Sequence, residues 1–328
     1  MPDAGRGVES KRLIDFLKLG QEYLEKKEID EARLKVERLL CHILEKDRIG
    51  LYLDFDRPLS RVEIDRFRDL LKRAASDEPI QYIIGETGFY NSEFFVRPGV
   101  LIPRPETELI IDLCKKYLPS KGYNNGLDIG CGSGILAITA LEEGISAKMT
   151  ALDVSMNAIY VTCLNAVKHG YAVIGDLELP DNEPSFSDFL LSSGNTITLT
   201  KKNTDTLQTL VVCLMDAFKT GVTLSGAPFD LVISNPPYIT QTEYDSLPQH
   251  IQNHEPEIAL RSGQDGLDAH RSLASSLERW LDNAGVYFGE IGAEQQDSIL
   301  TIYKKSFNNV AVLKDLNNLP RVVHCKKL

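Results

Sequence analysis

The sequence predicts an α/β protein, a doubly wound and mostly parallel sheet preceded by a small N-terminal helical domain. Three observations carry that expectation. From about residue 106 onward, short apolar runs alternate with helical patterns, as in a parallel sheet with helices on both faces. Residues 10–84 show helical periodicity only. Between a strand-like and a helix-like run lies the glycine-rich turn Gly130-Cys131-Gly132-Ser133-Gly134, the type of turn that brings backbone close to a ligand.

The helical region has recognisable starts. Ser10 and Asp30 are candidate caps, and Ser60-Arg61-Val62-Glu63 fits a capping box. Behind Asp30, the positions Leu34, Val36, Leu39, Leu40, Ile43 and Leu44 form an apolar stripe. Next, Gly88-Phe89-Tyr90 and Phe94-Phe95-Val96 read as a β-hairpin turning at Asn91-Ser92-Glu93. Domains are therefore expected at 1–84 (helical, substrate-docking), 85–105 (hairpin linker) and 106–328 (catalytic). Pro105 suits the first position of a helix running to about Leu118.

Strands are expected near 126–129, 148–152, 210–214, 229–234 and 285–290, with 309–314 and 321–325 closing the sheet antiparallel. An insertion at about 172–209 interrupts this rhythm. Its polarity suggests a surface excursion, partly disordered, although Thr196-Ile197-Thr198-Leu199-Thr200 alternates like a hairpin strand.

Bulk properties narrow the function. The 328 residues are 43% apolar and 25% charged, ordinary for a soluble protein, and no apolar run approaches the roughly 18 residues of a membrane helix. The first residues lack the apolar core of a secretory signal, so a cytoplasmic protein without membrane association is expected. Six cysteines without a CxxC pair argue against zinc and disulfides. A net charge of −11 argues against a nucleic-acid partner, which usually meets a basic face.

The chemistry concentrates in two motifs. The loop opened by Asp128 compresses its glycines to Gly-x-Gly-x-Gly, unlike the wider spacing that seats a pyrophosphate. Asp128 can reach the charged amino-acid part of S-adenosylmethionine, and Asp153, at the end of the next strand, can accept both ribose hydroxyls. A helix-capping role for Asp153 before Ser155 stays open. Asp216 and Ala217 follow the third strand, where adenine is expected. The second motif, Asn235-Pro236-Pro237-Tyr238, follows the strand Phe229–Ser234. Two prolines stiffen it and leave carbonyls without competing N–H groups. The Asn235 oxygen and the Pro236 carbonyl can each accept a hydrogen from a planar –NH2 group, with Tyr238 stacking on it.

With these motifs the chain resembles the PrmC/HemK family of release-factor glutamine methyltransferases, which has a Rossmann-like class I methyltransferase fold. The resemblance runs through Pro103-Arg104-Pro105-Glu106-Thr107-Glu108, both motifs, His254-Glu255-Pro256-Glu257-Ile258-Ala259-Leu260, Gly266-Leu267-Asp268, Glu290-Ile291-Gly292, Gln295, Asp315-Leu316 and Arg321-Val322-Val323. It implies methyl transfer from S-adenosylmethionine to the glutamine of a release factor's Gly-Gly-Gln loop, by a monomer. Asp128, Gly130, Cys131, Gly132, Ser133, Gly134, Asp153, Asp216, Ala217 and Asn235 would hold the cofactor, and Asn235, Pro236, Pro237 and Tyr238 the substrate. The insertion, Ala217, Ala293 and Asn317-Asn318-Leu319 depart from the family pattern.

Other readings remain. A DNA or RNA amine methyltransferase could stack a flipped base on Tyr238. A non-catalytic assembly factor would need only the cofactor loop, and a nicotinamide oxidoreductase would leave Asn235–Tyr238 without a role. His250, His254, Glu255 and Glu257 resemble a metal set, but Pro256 interrupts the spacing and no third ligand is evident.

Overall fold

A computed structural model describes residues 12–175, 178–180, 182–202, 206–219 and 221–327. The candidate cap Ser10 lies outside these residues. The chain divides into two compact units: residues 1–85 with 249–254, and residues 86–248 with 255–328.

The first unit is helical: α1 (Leu13–Glu25), α2 (Ala32–Leu44), α3 (Arg48–Leu53), α4 (Arg61–Ala74) and α5 (Ile80–Ile84). Leu17, Leu24, Val36, Leu39, Leu40 and Phe67 are buried in its core. Leu34 departs from the expected stripe and is 40% exposed, because it sits off the face that Val36, Leu40 and Ile43 turn inward. Asp30 is not the cap of α2. Glu31 takes that position, in a left-handed conformation without a side-chain cap. The capping box at α4 forms, with Glu63 N–H donating to Ser60 Oγ at 3.3 Å and Ser60 N–H to Glu63 Oε2 at 2.7 Å.

The second unit begins with a hairpin, β1 (Glu86–Phe89) and β2 (Ser92–Phe95). Phe89 pairs with Ser92, so the turn is Tyr90-Asn91, earlier than expected. The hairpin that the sequence set apart as a linker packs in this unit, burying Phe89 and Phe94 in its core. Pro105 opens a single 3-10 turn that leads into α6 (Glu108–Lys116).

There follow β3 (Gly126–Ile129), α7 (Ile135–Glu142), β4 (Lys148–Asp153), α8 (Met156–Lys168), β5 (Ala172–Val173), α9 (Glu183–Ser192), β6 (Thr196–Lys202), β7 (Leu207–Leu214) and β8 (Phe229–Ser234). After β8 come α10 (Gln241–Ser246), α11 (Gln249–His254, grouped with the first unit), α12 (Asp268–Trp280), β9 (Leu281–Glu290), α13 (Gln296–Tyr303), β10 (Asn309–Lys314) and β11 (Pro320–Lys326). The sheet order is β10-β11-β9-β8-β3-β4-β7-β6-β5. Strands β9, β8, β3, β4 and β7 run parallel, and β11 is antiparallel to both β9 and β10.

Side chains alternate along these strands, which gives the sheet two apolar faces. Ala151, Leu231 and Ile233 meet residues of α6, α7 and α8 on one face, and Leu127, Leu152 and Val232 meet Leu273, Leu277 and Trp280 of α12 on the other. This is the Rossmann-like, doubly wound architecture of class I methyltransferases. Among the described residues, no helix is long and apolar enough to cross a membrane.

Among the described residues, the insertion is built of paired strands and a packed helix. Strand β6 pairs antiparallel with β7 from Thr196↔Cys213 to Lys202↔Leu207, and β5 pairs with β6. Helix α9 buries Phe186 and Leu190 in the same core as the sheet. Burial of Ile197 and Leu199 orders this part of the segment for which polarity suggested partial disorder; residues 176, 177, 181 and 203–205 lie outside the described residues.

Candidate active site

Strand register builds the site. Ile129 stands opposite Leu152 on one side and Ser234 on the other, while Asp153 stands opposite Leu214. The glycine loop, Asp153, Asp216 and Asn235 therefore all emerge at the carboxyl ends of adjacent parallel strands, where open α/β sheets hold ligands. A cavity of about 480 Å³ opens there, within the range of small-molecule sites.

The loop wraps its ligand-facing backbone tightly. Gly130 and Cys131 N–H groups both donate to the Leu152 carbonyl at 2.9 Å. Gly130, Gly132 and Gly134 have φ of 72°, 57° and 81°, a region that side chains with a Cβ rarely adopt. Gly132 N–H donates to Asp153 Oδ2 at 2.9 Å, and Ser155 N–H donates to Oδ1 at 2.9 Å. Ser155, not Asp153, caps α8, its Oγ accepting Ala158 N–H at 3.3 Å. Asp153 only fastens the backbone just ahead of that cap, and its carboxylate lines the cavity. Burial raises its pKa despite these backbone hydrogen bonds. Asp216 accepts Phe218 N–H at 3.0 Å and also lines the cavity, between Met215 and Phe218.

The wall includes Gly130, Cys131, Gly132, Ser133, Asp153, Asp216, Ala217, Asn235 and Pro237. It departs from the sequence expectation at Asp128, Gly134, Pro236 and Tyr238, which do not line it. Asp128 is fully buried on the α7 side of β3 and accepts Ala137 N–H at 3.1 Å. Burial foremost, with the nearby Asp153 charge, lifts its pKa to about 7 against that hydrogen bond. Gly134 is taken up in capping α7, below Thr162. Pro236 lies between two residues that face the cavity. Tyr238 turns its hydroxyl to Glu290, donating to Oε1 at 3.2 Å. The Cys131 thiol is buried against Thr162, and burial drives its pKa well up, the opposite of an activated nucleophile.

Several supports were not foreseen. Asn165, fully buried, donates to the Ser133 carbonyl at 2.8 Å and exchanges hydrogen bonds with Phe95 backbone, which ties the loop to β2. Its signal in the sequence is a polar residue on the inner face of α8. Thr107 and Glu290 stood in resembling segments without an assigned role. Thr107 accepts from Asn235 Nδ2 at 3.0 Å and donates to Glu290 Oε2 at 2.7 Å. Gln295 Nε2 donates to the Tyr238 carbonyl at 2.9 Å, holding the end of the tetrapeptide. The suspected metal set is split between other partners: Glu255 accepts from Arg104 at 2.6 and 2.7 Å, and His250 lies 3.3 Å from Asp77.

The donor set fits S-adenosylmethionine. Asp153 offers a carboxylate beside a loop that has no Cβ at Gly130 or Gly132, Asp216 offers a second acceptor, and Leu152, Val154, Met215 and Phe218 supply apolar walls for a purine.

Comparison with known proteins agrees. Residues 15–85 match the PrmC N-terminal domain, and residues 104–189 match the ribosomal protein L11 methyltransferase (PrmA) family. A release factor glutamine methyltransferase of Chlorobaculum tepidum is 34% identical over 95% of this chain and 96% of its own. Proteins of the same description from Geobacter sulfurreducens and Nitratidesulfovibrio vulgaris are each 32% identical, covering 92% and 96% of this chain and 92% and 95% of their own. The chain belongs to the release factor glutamine methyltransferase family.

Proposed function

We infer that this chain is an enzyme that transfers a methyl group from S-adenosylmethionine to the side-chain amide nitrogen of a glutamine in a peptide-chain release factor, in its Gly-Gly-Gln loop. The observation that carries the reading is Asn235, an amide acceptor placed at the cavity one residue beyond β8 and level with Asp153.

The bound cofactor supplies an electrophilic methyl group on a sulfonium. Asp153 would accept the ribose hydroxyls, Asp216 would accept the adenine amino group, and the glycine loop would hold the amino-acid portion. Asn235 Oδ1 would accept one hydrogen of the substrate –NH2 and the carbonyl of Pro236, whose ring lies behind the wall between Asn235 and Pro237, the other, aiming the nitrogen. An amide nitrogen is a poor nucleophile, so orientation at near-attack distance is the main lever on the barrier. The two acceptors also stabilise positive charge that develops on nitrogen. The alkylated nitrogen is acidic enough to release its proton to solvent, so no strong base is needed. The helical unit is the docking module for the release factor, and the enzyme acts as a monomer on protein rather than nucleic acid.

The test is transfer of tritium from labelled S-adenosylmethionine to a purified release factor, beside a release factor whose loop glutamine is alanine. Label is expected on the first alone and is expected to vanish with Asn235→Ala. Label on RNA or DNA instead would overturn the reading.

A further inference from the structure

Asn235 serves an –NH2 substrate only if its own amide turns oxygen, not nitrogen, toward the cavity. The two ends of an amide are nearly the same size, so shape alone does not choose between them; hydrogen bonding must. Glu290 is 1% exposed and Thr107 fully buried, on β9 and just ahead of α6. Burial raises the pKa of Glu290, but hydroxyls of Thr107 and Tyr238 on its two oxygens favour the carboxylate, and a carboxylate accepts only. The single Thr107 proton therefore goes to Glu290 Oε2 (2.7 Å), which leaves Thr107 with lone pairs toward Asn235. Asn235 must answer with Nδ2, as observed at 3.0 Å, and Oδ1 is left for the cavity. The same carboxylate accepts from the Tyr238 hydroxyl, so both ends of the tetrapeptide hang from Glu290.

We propose that Glu290 and Thr107 are positioning residues that set, by their hydrogen-bond polarity, which end of the Asn235 amide meets the substrate. This rests on the reading of Asn235 as the substrate's acceptor. Replacing Glu290 by glutamine keeps shape but adds a donor. The Thr107 proton is then free to point at Asn235, whose amide turns over and offers the substrate an –NH2 that cannot accept.

The experiment uses Thr107→Val, Thr107→Ser and Glu290→Gln in the full chain, with release-factor methylation kinetics, calorimetric cofactor titration and side-chain amide exchange of 15N-asparagine-labelled protein. Thr107→Val keeps the volume and loses the hydroxyl; Thr107→Ser does the reverse. Thr107→Val and Glu290→Gln are expected to lower kcat by about 100-fold, with cofactor affinity within about threefold of wild type. Thr107→Ser is expected to stay within about fivefold in kcat, because it keeps the donor–acceptor pair. The Asn235 –NH2 signal, assigned by its absence in Asn235→Ser, is expected to exchange slowly in wild type and Thr107→Ser and fast in the other two. Wild-type kcat in Thr107→Val, equal damage in Thr107→Ser, or unchanged exchange in Thr107→Val and Glu290→Gln would each overturn the proposal. Wild type that leaves the release factor unlabelled would sink the substrate reading separately, while the exchange result still decides the amide's orientation.

Discussion

Asp153 divides its carboxylate between structure and ligand. Each oxygen accepts one backbone N–H, from Gly132 and from Ser155, at 2.9 Å, and each has a second lone pair left for a diol. An asparagine has only one oxygen, so one ribose hydroxyl would face an –NH2 that cannot accept its proton. Losing a charge-assisted acceptor of this kind costs about 1.5–3 kcal/mol. Asp153→Asn is accordingly expected to weaken S-adenosylmethionine binding about 10- to 100-fold by calorimetry. Unchanged affinity would mean that Asp153 only holds the backbone of Gly132 and Ser155. The neighbouring Asp128 shows the limit of reasoning from type and position: its place in the motif was legible, but its direction was not. Alternation along β3 sends it to the α7 face, and the sequence does not print which face holds the ligand.

At the scale of elements, the loop and the insertion differ in what the sequence revealed. The loop was legible because glycine spacing reports backbone conformation directly. Its three glycines nevertheless carry different burdens. A Cβ at Gly130 would meet no heavy atom within 4 Å, whereas one at Gly134 would lie 2.9 Å from Thr162 Cγ2. Both need positive φ, so Gly130→Ala is expected to cost about 1 kcal/mol of stability from strain alone. Gly134→Ala adds overpacking against α8, for a total of about 2–4 kcal/mol. Urea denaturation that ranks the two equally would contradict this. In the insertion, the alternation of Thr196–Thr200 did signal β6, and the missed element was α9. Asn182 accepts Ser185 N–H at 3.1 Å and Pro184 sits near the helix start, both readable start signals. Only Phe186 and Leu190 are buried along it, too thin a stripe to stand out from polar surroundings.

Across the whole molecule, parallel order, the antiparallel closure by β11 and the position of the site followed from alternating apolar runs, because each run had to be buried on both faces. The network of Thr107, Glu290 and Asn235 did not follow, since it joins residues 128 and 183 positions apart, and no local pattern encodes such distances. That depth of burial also leaves a signature in global stability. Asp128 rises from 3.8 to about 7 in the folded state, so the native protein holds that proton more tightly than the unfolded chain. The acid's contribution is then fully present below about pH 4 and is lost as pH rises through about 7. His270, lowered from 6.5 to about 3 by burial, works in the opposite direction, since its folded form resists charging and gains stability as pH rises toward 6.5. The raw slope of stability against pH therefore mixes the two. The difference between Asp128→Asn and wild type removes His270 and isolates the carboxyl. For the ligand-free protein, that difference is expected to shift by about 2–3 kcal/mol in favour of the variant between pH 5 and pH 8, levelling off above. Chemical denaturation at several pH values reads it directly. A flat difference would show that Asp128 is ionised throughout, with a counter-charge or solvent reaching it inside the sheet.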